Sequence, residues 1–169
     1  MEVVVGVPRD PRGKIHSRAV ASARIEEWHA VGRRTVFTNG CFDLLHQGHV
    51  RYLGEARRLG EALIVGVNSD ASVRTIKGSR RPILPASERA ELVAALECVD
   101  AVVLFDEPDP GALIADLKPR ILVKGADWPV ARVVGRETVE RLGGEVRNLP
   151  LVEGRSTSAI IKTILERYR

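Results

Sequence analysis

The sequence predicts a doubly wound α/β domain, a parallel sheet with helices on both faces. Three observations carry that class. Apolar runs of strand length alternate with helix-patterned stretches from residue 33 onward. One run, ALIVGVN at residues 62–68, is apolar at nearly every position, as expected of a strand covered on both faces. The stretches rich in glycine, histidine and basic residues fall after the strands, where sheets of this class bind ligands at the switch in strand order.

Taken in order, SRAVASARIEEWHAVG reads as an N-terminal helix stopped by Gly32, and RTVFTN as the first core strand. GHVRYLGEARRL reads as a helix with Val50, Leu53 and Ala56 on its buried face, followed by the strand ALIVGVN. VRTIKGSRRP reads as a mobile basic loop. SERAELVAALE is a helix with Ser87 as N-cap and Ala90, Val93 and Ala94 turned inward. AVVLF and RILVKG are strands on either side of the helix PGALIADL. VVGRETVERLGG is a helix ending in a glycine pair, EVRNLP a short last strand, and STSAIIKTILERY the closing helix. No internal repeat or linker divides the chain, so the expectation is one domain over 1–169: an extension and helix over 1–32, then a catalytic core over 33–169.

The 169 residues are 44% hydrophobic and 28% charged, the balance of an ordinary globular protein. The opening MEVVVGVPRDPRGK has too short an apolar run for a signal peptide, and no stretch nears the roughly 20 apolar residues of a membrane span. Cys41 and Cys98 are too few for a disulfide framework or a zinc site, which makes a reducing cytoplasm the expected setting. A net charge of +4 favours an anionic partner. The basic residues are dispersed and aromatics are only 4%, poor material for stacking bases, so the expected anion is a small phosphorylated substrate and not nucleic acid.

The densest chemistry lies in TNGCFDLLHQGHV, residues 38–50, between a strand and a helix. Gly48 and His49 fall in or near the first helical turn, where free backbone N–H groups and the helix dipole attract an anion. His46, three residues before His49, brings a second imidazole into the same space, and Gly40 and Gly48 let a ligand approach the backbone. A histidine pair can also hold metal, but zinc needs at least three protein ligands and neither HExxH nor CxxC is present. Cys41 reads as a small buried residue, and His16 and His29 as ordinary surface or core histidines. The absence of GxxxxGK[ST] and GxGxxG removes support for a P-loop kinase or a standard dinucleotide fold.

HQGH fits the HxGH signature of the nucleotidyltransferase superfamily, and TNGCFDLLHQGHVRYL resembles the adenylyltransferases that make ADP-heptose. LIVGVNSDASV, KGSRRP, ERAELVAALECVD, LVKGADW, VVGRETVERLGGEV and LVEGRSTSAI agree in the same order, so the similarity runs from about Arg33 to Leu165. Glycerol-3-phosphate cytidylyltransferases carry related motifs and are the alternative, and a catalytically silent nucleotide-binding module is the non-enzyme one. TNGCFD and VKGADW favour the heptose branch. The resemblance is to the stand-alone form, which implies that the sugar kinase fused to many relatives is a separate protein.

That resemblance implies a Rossmann-like fold, Mg²⁺ accompanying ATP, a homodimer, and transfer of an adenylyl group to a heptose 1-phosphate. It places His46 and His49 on the α- and β-phosphates, with Lys77 as a further catalytic cation and Arg81 next to it. Asn39, Gly40, Cys41, Phe42 and Gly48 would bind the nucleotide, Asn39 and Thr38 being also open to a structural reading. Lys124, Gly125 and Asp127 would face base, ribose or sugar. Arg155, Ser156, Thr157 and Ser158 would clamp the triphosphate from a second helix start, Ser156–Ser158 doubling as a cap. Asp43, counted with the substrate-binding residues, either orients the turn or a metal-bound water, or forms only a structural Asx turn. Asp70 either binds sugar hydroxyls or caps a helix, and Trp128 either stacks on a ring or packs in the core. No residue set is expected to form a protein-held metal site.

Overall fold

The computed structural model describes residues 10–127 and 129–168, so Trp128 lies outside the described residues. Among the described residues the strands and α-helices run in the order β1 (Ile15–His16), α1 (Arg18–Ala30), β2 (Thr35–Gly40), α2 (Gln47–Arg57), β3 (Ala62–Asn68), α3 (Asp70–Lys77), α4 (Ala86–Ala94), β4 (Ala101–Phe105), α5 (Gly111–Leu117), β5 (Ile121–Gly125), α6 (Arg136–Arg141), β6 (Glu145–Leu149) and α7 (Thr157–Arg167). All strand pairs are parallel, in the order β1-β4-β3-β2-β5-β6. The chain builds outward from β2 through β3 to β4, then returns to place β5 on the other side of β2. The switch point therefore lies between β2 and β5, the crevice where such sheets bind ligands.

Strand pleating explains the two cores. Val36, Leu63, Val65 and Val67 point to one face, where they pack with Leu53 and Ala56 of α2 and Ala90, Val93 and Ala94 of α4. Phe37 and Ile64 point to the other, against Ala21 and Ile25 of α1, Leu113 and Ile114 of α5, and Val139 of α6. All seven residues of β3 are buried, as its apolar run predicts. Truncating a core side chain such as the fully buried Leu53 to alanine would cost about 2–5 kcal/mol.

Several elements differ from the sequence expectation. The two-residue strand β1 pairs with the edge of β4 and carries too little pattern to be read. In α2 the inward stripe is Gly48, Leu53 and Ala56, and Val50 is 47% exposed, because the helix turns its Tyr52–Ala56 side to the sheet. Ser87 does not cap α4; the cap position is Pro85, which has no side-chain acceptor. The stretch read as a mobile basic loop is helical through Lys77, and its cap is Ser69, whose Oγ accepts from the Ser72 N–H at 3.2 Å. Asp70 is thus the first helical residue and not the cap. Helix α6 begins only at Arg136, after Gly135 at φ 88°, which leaves Val133 and Val134 free to face the ligand crevice.

Candidate active site

A cavity of about 560 Å³ opens at the carboxyl ends of the strands, within the range of about 300–1,000 Å³ usual for small-molecule sites. Its wall is drawn from every loop expected to carry chemistry. Of the sequence candidates, Asn39, Gly40, Cys41, Phe42, Asp43, His46, Gly48, His49, Lys77, Arg81, Lys124, Gly125, Asp127, Arg155, Ser156, Thr157 and Ser158 all line it. Asp70 does not.

The start of α2 is built around His46. Its backbone is extended at φ −143°, and its Nδ1 accepts the Gly48 N–H at 3.1 Å, so an imidazole serves as the N-cap. An accepting Nδ1 places the proton of the neutral ring on Nε2, making that nitrogen a donor. His46 and His49 stack with centroids 3.9 Å apart and planes 26° from parallel. Two imidazolium ions at that separation would repel, and burial acts in the same direction. His49 is pushed down to about 4 by desolvation and then by His46, while His46 is lowered by desolvation and then by Arg155. A neutral pair has N–H donors to offer, not full positive charge. His49 Nδ1 is buried without a hydrogen-bond partner in the protein. Gly48 is needed for this arrangement, since a β-carbon there would stand 2.9 Å from the His46 ring.

The turn between β2 and α2 bends through Phe42, a non-glycine residue at φ 48° whose buried ring tilts against His49 at 5.2 Å. Cys41 beside it is no activated nucleophile, because burial raises its thiol. Across the switch point, Lys124 of β5 donates to Asn39 Oδ1 of β2, and desolvation pulls its ammonium down to about 8. Asn39 therefore positions a cation at the crevice floor. Thr38 is bonded to the Tyr52 hydroxyl at 2.8 Å, and burial pushes that phenol up to about 12. At Gly125 a β-carbon would come within 2.6 Å of Asp127 Oδ1, so glycine lets that carboxylate fold back over the strand end.

Two aspartates take roles inside the protein. Asp43 is buried; one carboxylate oxygen pairs with Arg81 and the other accepts the N–H groups of Ile83 and Leu84, at 2.7 and 3.2 Å. It anchors the 78–85 segment to the strand end, in keeping with the structural one of its two sequence readings, and holds part of Arg81 out of play. Asp70 accepts from Arg89 at 2.8 Å as its ion-pair partner. Arg89 itself was missed in the sequence. It is fully buried, and its guanidinium donates to the carbonyls of Leu84, Cys41 and Asn68 as well as to Asp70. An arginine beside Ala90 on the buried face of a helix was the signal for it. Tyr52, Asp109 and the apolar Ile76, Val133, Val134 and Leu151 also line the cavity without having been anticipated. His16 and His29 lie elsewhere, bonded to Arg24 and Thr35.

Helix α7 supplies the opposite wall. Ser156 Oγ caps it by accepting the Ala159 N–H at 3.1 Å, and Thr157 Oγ1 donates to the Leu44 carbonyl at 3.4 Å. Arg155 sits over the first helix start, its Cβ 3.4 Å from where a Gly48 β-carbon would be. Among the described residues no three His, Cys, Asp or Glu side chains converge as a metal site. The donor set does not fit a divalent ion held by protein alone.

A profile of cytidylyltransferase-like proteins matches residues 37–163. The chain is 56% identical over 160 residues to the bifunctional protein HldE of Trichlorobacter lovleyi and 55% over 159 residues to that of Pelobacter propionicus, covering 95% and 94% of this chain. It spans about one third of the length of these curated relatives, 33% of each. Among solved structures, a lipopolysaccharide core biosynthesis protein from Thermoplasma volcanium is 31% identical with a TM-score of 0.61, over 73% of this chain and 100% of that one. A protein of unknown function from Archaeoglobus fulgidus, at 23% identity and TM-score 0.55, shares the fold over 73% of this chain and 93% of its own.

Proposed function

This chain belongs to the cytidylyltransferase-like family, and we propose that it transfers an adenylyl group from ATP to a heptose 1-phosphate, giving ADP-heptose and pyrophosphate. The observation that carries the reading is the stacked, neutral His46–His49 pair at the start of α2, inside the cavity at the switch point. Similarity to HldE proteins across 95% of the chain and the TNGCFD and VKGADW motifs support the heptose acceptor.

The attacking group is the sugar's own phosphate, whose second pKa of about 6 leaves it mostly ionised near neutral pH. A phosphate oxygen forms a bond to the α-phosphorus as the bridge to the β-phosphate breaks, and pyrophosphate departs with the electron pair. No proton need be removed, which accounts for a site without a base–nucleophile dyad. The chain's work is in-line alignment and stabilisation of charge on the α-phosphoryl group and the departing pyrophosphate. His46 offers Nε2–H, the first turn of α2 offers backbone N–H groups, and Lys77, Lys124 and Arg155 supply positive charge. Ser158 and Thr157 approach from α7. Gly40, Cys41 and Phe42 bring backbone to the nucleotide, while Gly125 and Asp127 meet its base or ribose. Mg²⁺ would accompany the triphosphate, keeping most of its own waters.

We extend the reading to a homodimer working in the cytoplasm; no helix among the described residues is long and apolar enough to cross a membrane. Sedimentation of the purified protein tests the dimer. The activity is tested by pyrophosphate release with ATP or CTP against heptose 1-phosphate and glycerol 3-phosphate. Turnover confined to ATP and heptose 1-phosphate is expected, and turnover only with CTP and glycerol 3-phosphate would replace this reading with the cytidylyltransferase one.

A further inference from the structure

Three carboxylates reach the cavity wall: Asp43, Asp109 and Asp127. On the reading above the cavity receives two phosphate-bearing molecules, and a carboxylate is an acceptor that repels phosphate. Each therefore needs its own explanation. Asp43 is neutralised by Arg81. Asp127 stands at the end of β5, on the side assigned to the nucleotide. Asp109 is left over. Its Oδ1 accepts the Gly111 N–H at 2.8 Å, and among the described residues it forms no ion pair.

The sheet order locates Asp109 relative to the chemistry. Loops line the crevice in the sequence β4, β3, β2, β5. Asp109 follows β4, Lys77 ends the helix after β3, the imidazoles follow β2, and Asp127 follows β5. The β4 turn and α3 form one wall, because Ser72 Oγ of α3 donates to the Glu107 carbonyl at 2.9 Å. Asp109 and Lys77 thus share the wall opposite Asp127, with the histidine pair between them. Two strand spacings, about 10 Å, separate β4 from β2 within the sheet, so the turn that carries Asp109 and the junction that carries the imidazoles leave from different strands.

That wall has the chemistry of a sugar phosphate. Lys77 offers positive charge, while Pro108, Pro110 and Val134 offer apolar surface around one open carboxylate. We propose that Asp109 is a specificity-determining residue for the acceptor: its carboxylate accepts hydrogen bonds from hydroxyls of the sugar whose phosphate Lys77 receives. This rests on the proposed adenylyltransferase reading and adds to it the residue that separates a polyol ring from a smaller phosphate ester.

Asp109→Asn tests the idea, because an asparagine Oδ1 still accepts the Gly111 N–H while the charge is removed. The KM for heptose 1-phosphate should rise about 10- to 100-fold, the effect of losing a charge-assisted hydrogen bond. The KM for ATP and the unfolding temperature should stay at wild-type values. Asp109→Ser, which keeps a capping oxygen but not the reach, should show the same split. An acceptor KM within twofold of wild type in both variants overturns the proposal. So does an equal loss for ATP and acceptor, the mark of a merely structural residue. Wild-type protein that makes no ADP-sugar from these substrates would instead overturn the adenylyltransferase reading on which the proposal stands.

Discussion

The start of α2 is buried and internally braced, whereas the start of α7 stands in solvent, although both face one cavity. At α2, Phe42, Asp43 and Gly48 are buried, and His46 is fixed by its bond to Gly48. At α7, Arg155, Ser156 and Ser158 are exposed, and the helix buries none of its residues. Its described hydrogen bond to the rest of the protein at this end runs from Thr157 to Leu44. The contrast teaches a division of labour. On the proposed reaction the transition-state contacts, which demand placement to a fraction of an ångström, fall on the rigid side. Contacts that hold substrate in both ground and transition states tolerate a lightly held element.

The sharpest way to break this contrast is to remove the imidazoles. His46→Ala and His49→Ala should each lower kcat about 10²–10³-fold, as for loss of one oxyanion-type donor, measured by steady-state pyrophosphate release. Wild-type turnover in both would end the assigned roles. On the other helix, Thr157→Ala and Ser158→Ala should raise the KM for ATP about tenfold, with kcat changed far less. A kcat loss as large as that of the histidine variants would erase the division of labour.

A smaller effect reports on rigidity. Ser156→Ala removes the cap of α7 at a cost of about 1 kcal/mol, so hydrogen exchange of α7 amides should speed about fivefold. The amides of β3 should not respond, because α7 opens without unfolding the sheet. Equal acceleration in both would show that α7 is part of the global unit.

The smallest expected effect is on pH. His49 sits near 4 when folded against its ordinary 6.5. Between those values the unfolded chain binds more protons than the folded one, so stability falls as pH drops from about 6.5 toward 4. Discounted for the solvent that the half-buried ring still meets, the loss from pH 7 to 5 is about 1 kcal/mol, a few degrees in Tm. His49→Gln should flatten that part of the curve, and Ser156→Ala should not.

Much of the candidate site, the residues that converge on one cavity, could be read in advance because its signals are local. The HQGH stretch lies within one strand-to-helix junction, and the hydroxyl run Ser156–Ser158 within one helix start. What escaped reading depends on distant partners. Asp43 and Asp70 look like ligands in isolation, yet Arg81 and Arg89, 38 and 19 positions away, take up their charge. Val50 looks like core because helical period alone does not say which stripe meets the sheet. Val133 and Val134 look helical until Gly135 starts the helix late.

By itself the sequence determined the alternation of strands and helices and the strand-to-helix junction that carries His46 and His49, since hydrophobic period and the residues of a helix start are properties of a few adjacent residues. Only the tertiary structure decided which polar groups are consumed within the protein and which face the ligand. Arg89 bridges Cys41, Asn68, Asp70 and Leu84 across 48 positions of chain, and Asp109 gains its outlook from the strand order. A charge's role is set by what lies within a few ångströms of it, and that is a matter of packing, not of neighbours along the chain.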